Sequence, residues 1–141
     1  MNRQKEEKVN HAKMLRKSFG IKERRVSAMA FKTKKDLIKH CLTYPDVYED
    51  YPFHDTEWAV IRHRKNKKVF AWIYTREEKT CVNVKCDPEW TEFWRNAFPG
   101  VLPGYHLNKK YWNTILLDGT VPDPDIKRMI GESFDLTMEK R

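Results

Sequence analysis

The chain has little cysteine, little glycine and no long apolar run, and each shortage removes a class of function. Its three cysteines are Cys41, Cys81 and Cys86, with no CxxC pair. An odd count without paired spacing excludes a disulfide framework and a structural zinc site. Cys81 and Cys86 are five apart and point to opposite faces if one strand carries both. The three read as small buried hydrophobes of a reducing compartment. Only five glycines are present, and none forms a phosphate-cradling loop; GxSxG and HExxH are also missing. No apolar stretch approaches the roughly 20 residues of a membrane span. The first 13 residues lack the apolar core of a signal peptide. The expectation is a cytoplasmic protein with no catalytic motif, no metal, no cofactor and no membrane partner.

What is present is a folding chain with an uneven charge. It has 141 residues, 40% of them hydrophobic and 13% aromatic. That suits one domain with a real core. The net charge of +8 lies almost wholly at the start. Residues 1–35 carry 12 Lys/Arg against three acids; residues 36–141 carry 16 against 17. The basic balance therefore says nothing general about the globular part, and any polyanion contact there must come from local clusters. Residues 1–32 read as a basic extension, partly helical or disordered: Val9, Ala12, Leu15 and Phe19 recur at helical spacing over 4–19, and Gly20 stops the pattern. The domain spans 33–138, with 139–141 as a C-terminal end.

Thr33 and Asp36 form a near capping box, and Leu37, Ile38, Cys41 and Leu42 give the stripe of a helix that Pro45 ends. A strand meander follows over 47–86. Val47–Phe53 begins it, with Pro52 keeping it at an edge. Trp58–Arg64, Lys68–Thr75 and Thr80–Cys86 alternate with period two, and turns fall at Lys65–Lys67 and Arg76–Lys79. Asp87-Pro88-Glu89 opens a second helix whose stripe is Trp90, Phe93, Trp94, Ala97 and Phe98; Pro99-Gly100 ends it. A hairpin from Pro103 to Gly119 has its corner at Asn108-Lys109-Lys110 and its second strand through Trp112. Asp123-Pro124-Asp125 opens a third helix with the stripe Ile126, Met129, Ile130 and Phe134. This order predicts an α+β, two-layer α/β sandwich, with helices on one face of an antiparallel sheet.

Several blocks are more specific than periodicity. They are Tyr44-Pro45, Glu49-Asp50-Tyr51-Pro52-Phe53, Phe70-Ala71, and Asn83-Val84-Lys85-Cys86-Asp87-Pro88. The strongest is Pro103-Gly104-Tyr105-His106-Leu107-Asn108-Lys109-Lys110 with Tyr111-Trp112-Asn113-Thr114. Through them residues 33–138 resemble the MmcQ/YjbR family of small bacterial proteins. The resemblance implies a two-layer domain in a double-wing arrangement that binds DNA. The chain departs from the pattern in three places. The tail has no counterpart. Lys65-Asn66-Lys67-Lys68 replaces a turn that often contains glycine. Leu107 and Tyr111 stand where Met and His are common.

The candidate chemistry is electrostatic. Arg62, Arg64, Lys65, Lys67 and Lys68 put five cations in seven residues at one turn, and Lys109 and Lys110 form a smaller tip. Each neutralised duplex phosphate steepens salt dependence by about 0.9 log units. With the resemblance, the expected nucleic-acid-binding residues are Arg62, Arg64, Lys65, Lys67, Lys68, His106, Asn108, Lys109 and Lys110. Asn108 suits a turn or an adenine edge, and Asn113 suits a buried hydrogen bond to a loop. Charged turns also simply keep sheet edges soluble. The alternative is then a non-enzymatic protein–protein adaptor, and a third reading is a small-molecule site near His106. His54, Asp55 and Glu57 share a loop but not a metal spacing. Trp90 and Trp94 read as core. Trp58, Trp72 and Trp112 are expected to pack under the helices, or to stack on a base if exposed.

Overall fold

The computed structural model describes residues 31–138; the expected helix at 4–19, the rest of the basic extension before Phe31, and residues 139–141 lie outside the described residues. Thr33 begins the first helix as its spacing predicts. Its hydroxyl accepts the Asp36 amide, and the Asp36 carboxylate accepts the Thr33 amide, a reciprocal cap. Helix α1 covers Lys34–Cys41. Leu37 and Cys41 are buried, but Leu42 is the C-cap and is 41% exposed, because the stripe outruns the helix by one residue.

Strands β1 (Val47–Asp50), β2 (Ala59–His63), β3 (Val69–Arg76) and β4 (Lys79–Lys85) form the meander. β1 stops at Asp50, short of the expected Phe53. Pro52 has no N–H for a ladder, and the chain turns there instead. Both residues of the β3–β4 turn, Glu77 and Glu78, have positive φ (51° and 66°), the backbone twist that suits a two-residue hairpin.

The second helix begins later than Asp87-Pro88 predicts. Asp87 accepts the Glu89 amide on its carboxylate and the Trp90 amide on its carbonyl, closing a separate turn. Its side chain is committed there, and α2 covers Thr91–Ala97 with Trp90 at the cap. β5 (Val101–Pro103), β6 (Trp112–Leu116) and α3 (Asp123–Thr137) complete the domain. The hairpin's first strand thus precedes Gly104, and residues 104–111 are its loop. In α3, Ile126, Met129, Ile130 and Phe134 are all buried, as their spacing predicts.

All strand neighbours are antiparallel, in the order β1-β2-β3-β4-β6-β5. Register assigns the faces. Ala59, Ile61, Ala71, Ile73, Val82, Val84, Ile115 and Val101 share one core with Leu37, Cys41, Phe93, Trp94, Ile126, Ile130 and Phe134 of the three helices. The fold is α+β with its helices on one face. Polar links also cross this interface, two of them from α3. Ser133 accepts the Lys85 amide at 2.8 Å and donates to the Phe70 carbonyl at 2.6 Å; His63 Nε2 meets the Thr137 hydroxyl at 2.8 Å. The opposite face presents Val60, Arg62, Trp72, Tyr74, Asn83, Lys85, Trp112 and Thr114, and no described helix covers it.

Candidate functional site

The uncovered face is partly roofed by the β5–β6 loop. Asn83 stands in the middle of β4, is fully buried, and fastens that loop. Its side-chain oxygen accepts the Tyr74 hydroxyl at 2.7 Å and the Thr114 hydroxyl at 2.6 Å, while its amide donates to the Tyr105 carbonyl at 2.9 Å. The Tyr105 amide donates to Thr114 Oγ1 at 3.0 Å. Burial pushes the Tyr74 hydroxyl up to about 12, so it remains a neutral donor. Gly104 starts the loop against Trp112. A Cβ there would lie 2.7 Å from the Trp112 Cβ and 2.8 Å from its carbonyl oxygen, so the close approach needs glycine.

Between this loop and the 53–58 loop lies a cleft of about 400 Å³. Phe53, Trp58, Trp72, Tyr105 and Leu107 supply its apolar lining, and Asp55, Glu57, Asn83 and His106 its polar lining. Trp58 stacks on Tyr74 with ring centroids 4.1 Å apart, and stands edge-to-face to Trp72 and Phe53. The Arg76 guanidinium carbon sits 3.9 Å from the centre of the Tyr105 ring, a cation–π contact that occupies that part of the ring. The 53–58 loop is clamped by Lys34, whose ammonium donates to the carbonyls of Thr56 and Glu57. Asp55 accepts the Glu57 and Trp58 amides and shapes the turn into β2. The Trp72 indole nitrogen is closed to solvent and has no hydrogen-bond partner among the described residues, a costly arrangement for a donor.

These positions correct the expectation for the tryptophans. Trp58, Trp72 and Trp112 do not pack under the helices; they are half-buried on the other side of the sheet, while Trp94 is core and Trp90 packs against it. His106 is exposed, with φ 62°, and its ring lies 3.9 Å from that of Tyr105, so it belongs to the cleft and not to a basic tip.

The expected cations gather at the other end of the same sheet. Register places the end of β4, the start of β3 and the start of β6 together: Lys85 pairs with Trp112, and Ser133 joins Lys85 to Phe70. Lys65, Lys67 and Lys68 follow β2 there, and Lys109 and Lys110 precede β6. In the sheet β4 lies between β3 and β6, so the starts of β3 and β6, which these loops lead into, are about 10 Å apart. All five are exposed, and none has an ion pair among the described residues. The arginines differ. Arg62 is held by Asp50 at 2.9 Å and donates to the Lys67 carbonyl, and Arg64 faces Asp46 at 3.9 Å. Both serve the β1–β2 edge before any ligand. His63 is buried beneath α3, and burial lowers its pKa. Asn108 makes a turn, accepting the Lys110 amide; Asn66 donates to the Thr137 carbonyl. Asn113 is buried and joins the Thr91 carbonyl to the Arg95 side chain, as a buried hydrogen bonder should.

Sequence reasoning offered a small-molecule site near His106, which lines the cleft, but missed Asn83, Lys85 and Phe53 as site residues. One signal was there to use: asparagine is depleted in strand interiors, so Asn83 between Val82 and Val84 marks a position kept for its hydrogen bonds.

A family model described as YjbR matches residues 42–136, which run from the end of α1 through nearly all of α3. The chain belongs to the YjbR family. It is similar to the uncharacterised protein YyaQ of Bacillus subtilis, 34% identical over 116 residues that cover 74% of this chain and 98% of that one. The uncharacterised protein YjbR of Escherichia coli K12 is 28% identical over 102 residues, 72% of this chain and 84% of its own. Among solved structures, Deinococcus radiodurans protein DR2400, a DUF419 domain, aligns with TM-score 0.70 at 34% identity over 79% of this chain and 83% of that one. A Pseudomonas syringae protein aligns with TM-score 0.69 at 27% identity, over 76% of this chain and all of that one. The region matched to YjbR takes in both the cleft and the lysine end. Among the described residues no three His, Cys, Asp or Glu side chains are placed to hold a metal ion, and no helix is long and apolar enough to cross a membrane.

Proposed function

We propose that this YjbR-family domain is a cytoplasmic, non-enzymatic module that binds DNA through the lysine end of its sheet. In this reading the β2–β3 turn and the β5–β6 loop are the two wings. The observation that carries the proposal is the coincidence of both lysine groups at one sheet end, with Lys65, Lys67, Lys68, Lys109 and Lys110 exposed and without ion pairs among the described residues. Neutral folds gain affinity for phosphate from such local clusters. Lys85, half-buried between the groups, lengthens the line. Cys41, Cys81 and Cys86 are buried and form no disulfide among the described residues, which fits a reducing compartment.

The test is a salt series on labelled duplex DNA. The full chain is compared with a variant carrying serine at Lys65, Lys67, Lys68, Lys109 and Lys110. The expected outcome is weaker binding and a shallower dependence of log K on log salt, by about 0.9 for each phosphate that is no longer neutralised. An unchanged slope would assign all binding to the segment before Phe31 and remove the role of the wings. The adaptor reading has one observation in its favour: Phe53 is 55% and Leu102 39% exposed on the uncovered side. It takes over if no DNA binds at low salt and a protein partner does.

A further inference from the structure

We infer that the aromatic cleft seats one unpaired base of the bound strand, with that nucleotide's phosphate held at Lys85. The inference rests on the DNA reading and extends it to a different part of the sheet. Lys85 and Asn83 are two residues apart on one strand and point to the same face, so the lysine stem begins about 7 Å from the cleft. Trp112, paired with Lys85 on that face, continues the aromatic surface. A cleft of about 400 Å³ falls in the usual range for small-molecule sites.

The charge pattern sets the orientation. Asp55 and Glu57 precede β2, whereas the lysines of the β2–β3 turn follow it, so the length of β2, about 15 Å, separates acids from cations. A phosphate is repelled from the acid end and drawn to the lysine end. A base entering from the lysine end meets Trp72 and Trp58 as stacking faces and Phe53 as an edge. Its exocyclic amine then faces carboxylates, which accept hydrogen bonds from such groups. Part of Tyr105 is already occupied by Arg76 and one face of Trp58 by Tyr74, so the platform is Trp72 with what Tyr74 leaves of Trp58. A paired, stacked base in a duplex cannot reach this recess, so the site selects single-stranded DNA or an extruded base.

The test uses three labelled probes with equal numbers of phosphates per strand: a mixed-sequence single strand, its duplex, and a strand with abasic sites throughout. The full chain is titrated with each by fluorescence anisotropy at one low salt concentration, beside the Phe53→Ala and Trp58→Ala variants. The expected result is single-strand binding at least tenfold tighter than abasic binding. Trp58→Ala should cost about five- to 150-fold on the single strand. Phe53→Ala, which removes an edge contact, should bring a smaller but measurable loss, and both should leave abasic binding unchanged. Phe53 is more than half exposed, so its variant keeps the test usable if Trp58→Ala does not fold. Equal, salt-dependent affinity for single strand and abasic strand would overturn the base site while leaving DNA binding intact. No binding of any probe would overturn both. If an apolar peptide binds in a Phe53-dependent way and the oligonucleotides do not, the cleft is a peptide groove and the inference fails.

Discussion

On the helix-covered face, Ile61, Ile73, Val82 and Ile115 are fully buried among other apolar side chains; on the uncovered face Val60, Tyr74 and Asn83 are buried just as deeply. Depth of burial therefore does not separate the two faces. What differs is the cover. One side is closed by the apolar stripes of α1, α2 and α3. The other is closed by two loops, one hung on Asn83 and Thr114, the other clamped by Lys34. Apolar packing is non-directional and spread over many residues. A loop held by a few hydrogen bonds is local, and it can shift without the core repacking. Apolar packing is thus concentrated on one face and loop-held cover on the other.

The largest effect that tests this comparison belongs to the covered face. Phe70→Ala should lower unfolding free energy by about 3–5 kcal/mol, measured by urea titration. A loss below about 1 kcal/mol would mean that this side is not where the stability lies. Asn83→Ala comes next, at about 1–3 kcal/mol, because it removes the acceptor of the Tyr74 and Thr114 hydroxyls and the donor to the Tyr105 carbonyl. It should also alter tryptophan emission as Tyr105 leaves Trp58, while far-ultraviolet dichroism stays native. Unchanged emission would show that the loop is held by something else.

A smaller effect is titratable. Burial lowers the pKa of both His63 and His40 below the ordinary 6.5. The unfolded chain therefore binds more protons than the folded one once pH drops below that value, and stability falls with acidification. The contribution is complete above 6.5 and is lost as pH descends from there toward the folded values. His63→Gln should flatten part of this slope in urea midpoints taken from pH 7.5 to 5; an identical slope would remove His63 from the account. Smallest of all, Phe53→Ala should change stability by no more than about 0.5 kcal/mol, since the ring is largely exposed. A larger loss would make Phe53 part of the fold and not of a binding surface.

Much of the covered face was legible in the sequence, for a physical reason. Ile126, Met129, Ile130 and Phe134 recur at helical spacing because one helix stripe must meet one sheet, and period two in the strands states which residues face it. The capping box at Thr33 and the turns at 65–67 and 76–79 were equally readable, since they are local. Asp87-Pro88 misled because an aspartate that caps a helix and one that closes a turn leave the same trace. The five lysines were legible as exposed cations. Their assembly at one end was not, because it depends on β6 inserting beside β4, a long-range pairing that no local pattern encodes. The cleft was hidden further. Phe53 and Trp58 lie far from Trp72 and Tyr105 in the chain, and a loop tethered by Asn83 looks in sequence like a continuing hairpin.

The division between the two faces can be tested directly by titrating the isotope-labelled full chain with a single-stranded oligonucleotide and following backbone amide shifts by NMR. Perturbed amides should cluster at Trp72, Asn83, Lys85 and Tyr105–His106 and at the turns bearing Lys65–Lys68 and Lys109–Lys110, with α1 and α3 silent. Shifts confined to the helix layer, or no shifts at saturating oligonucleotide, would contradict this division.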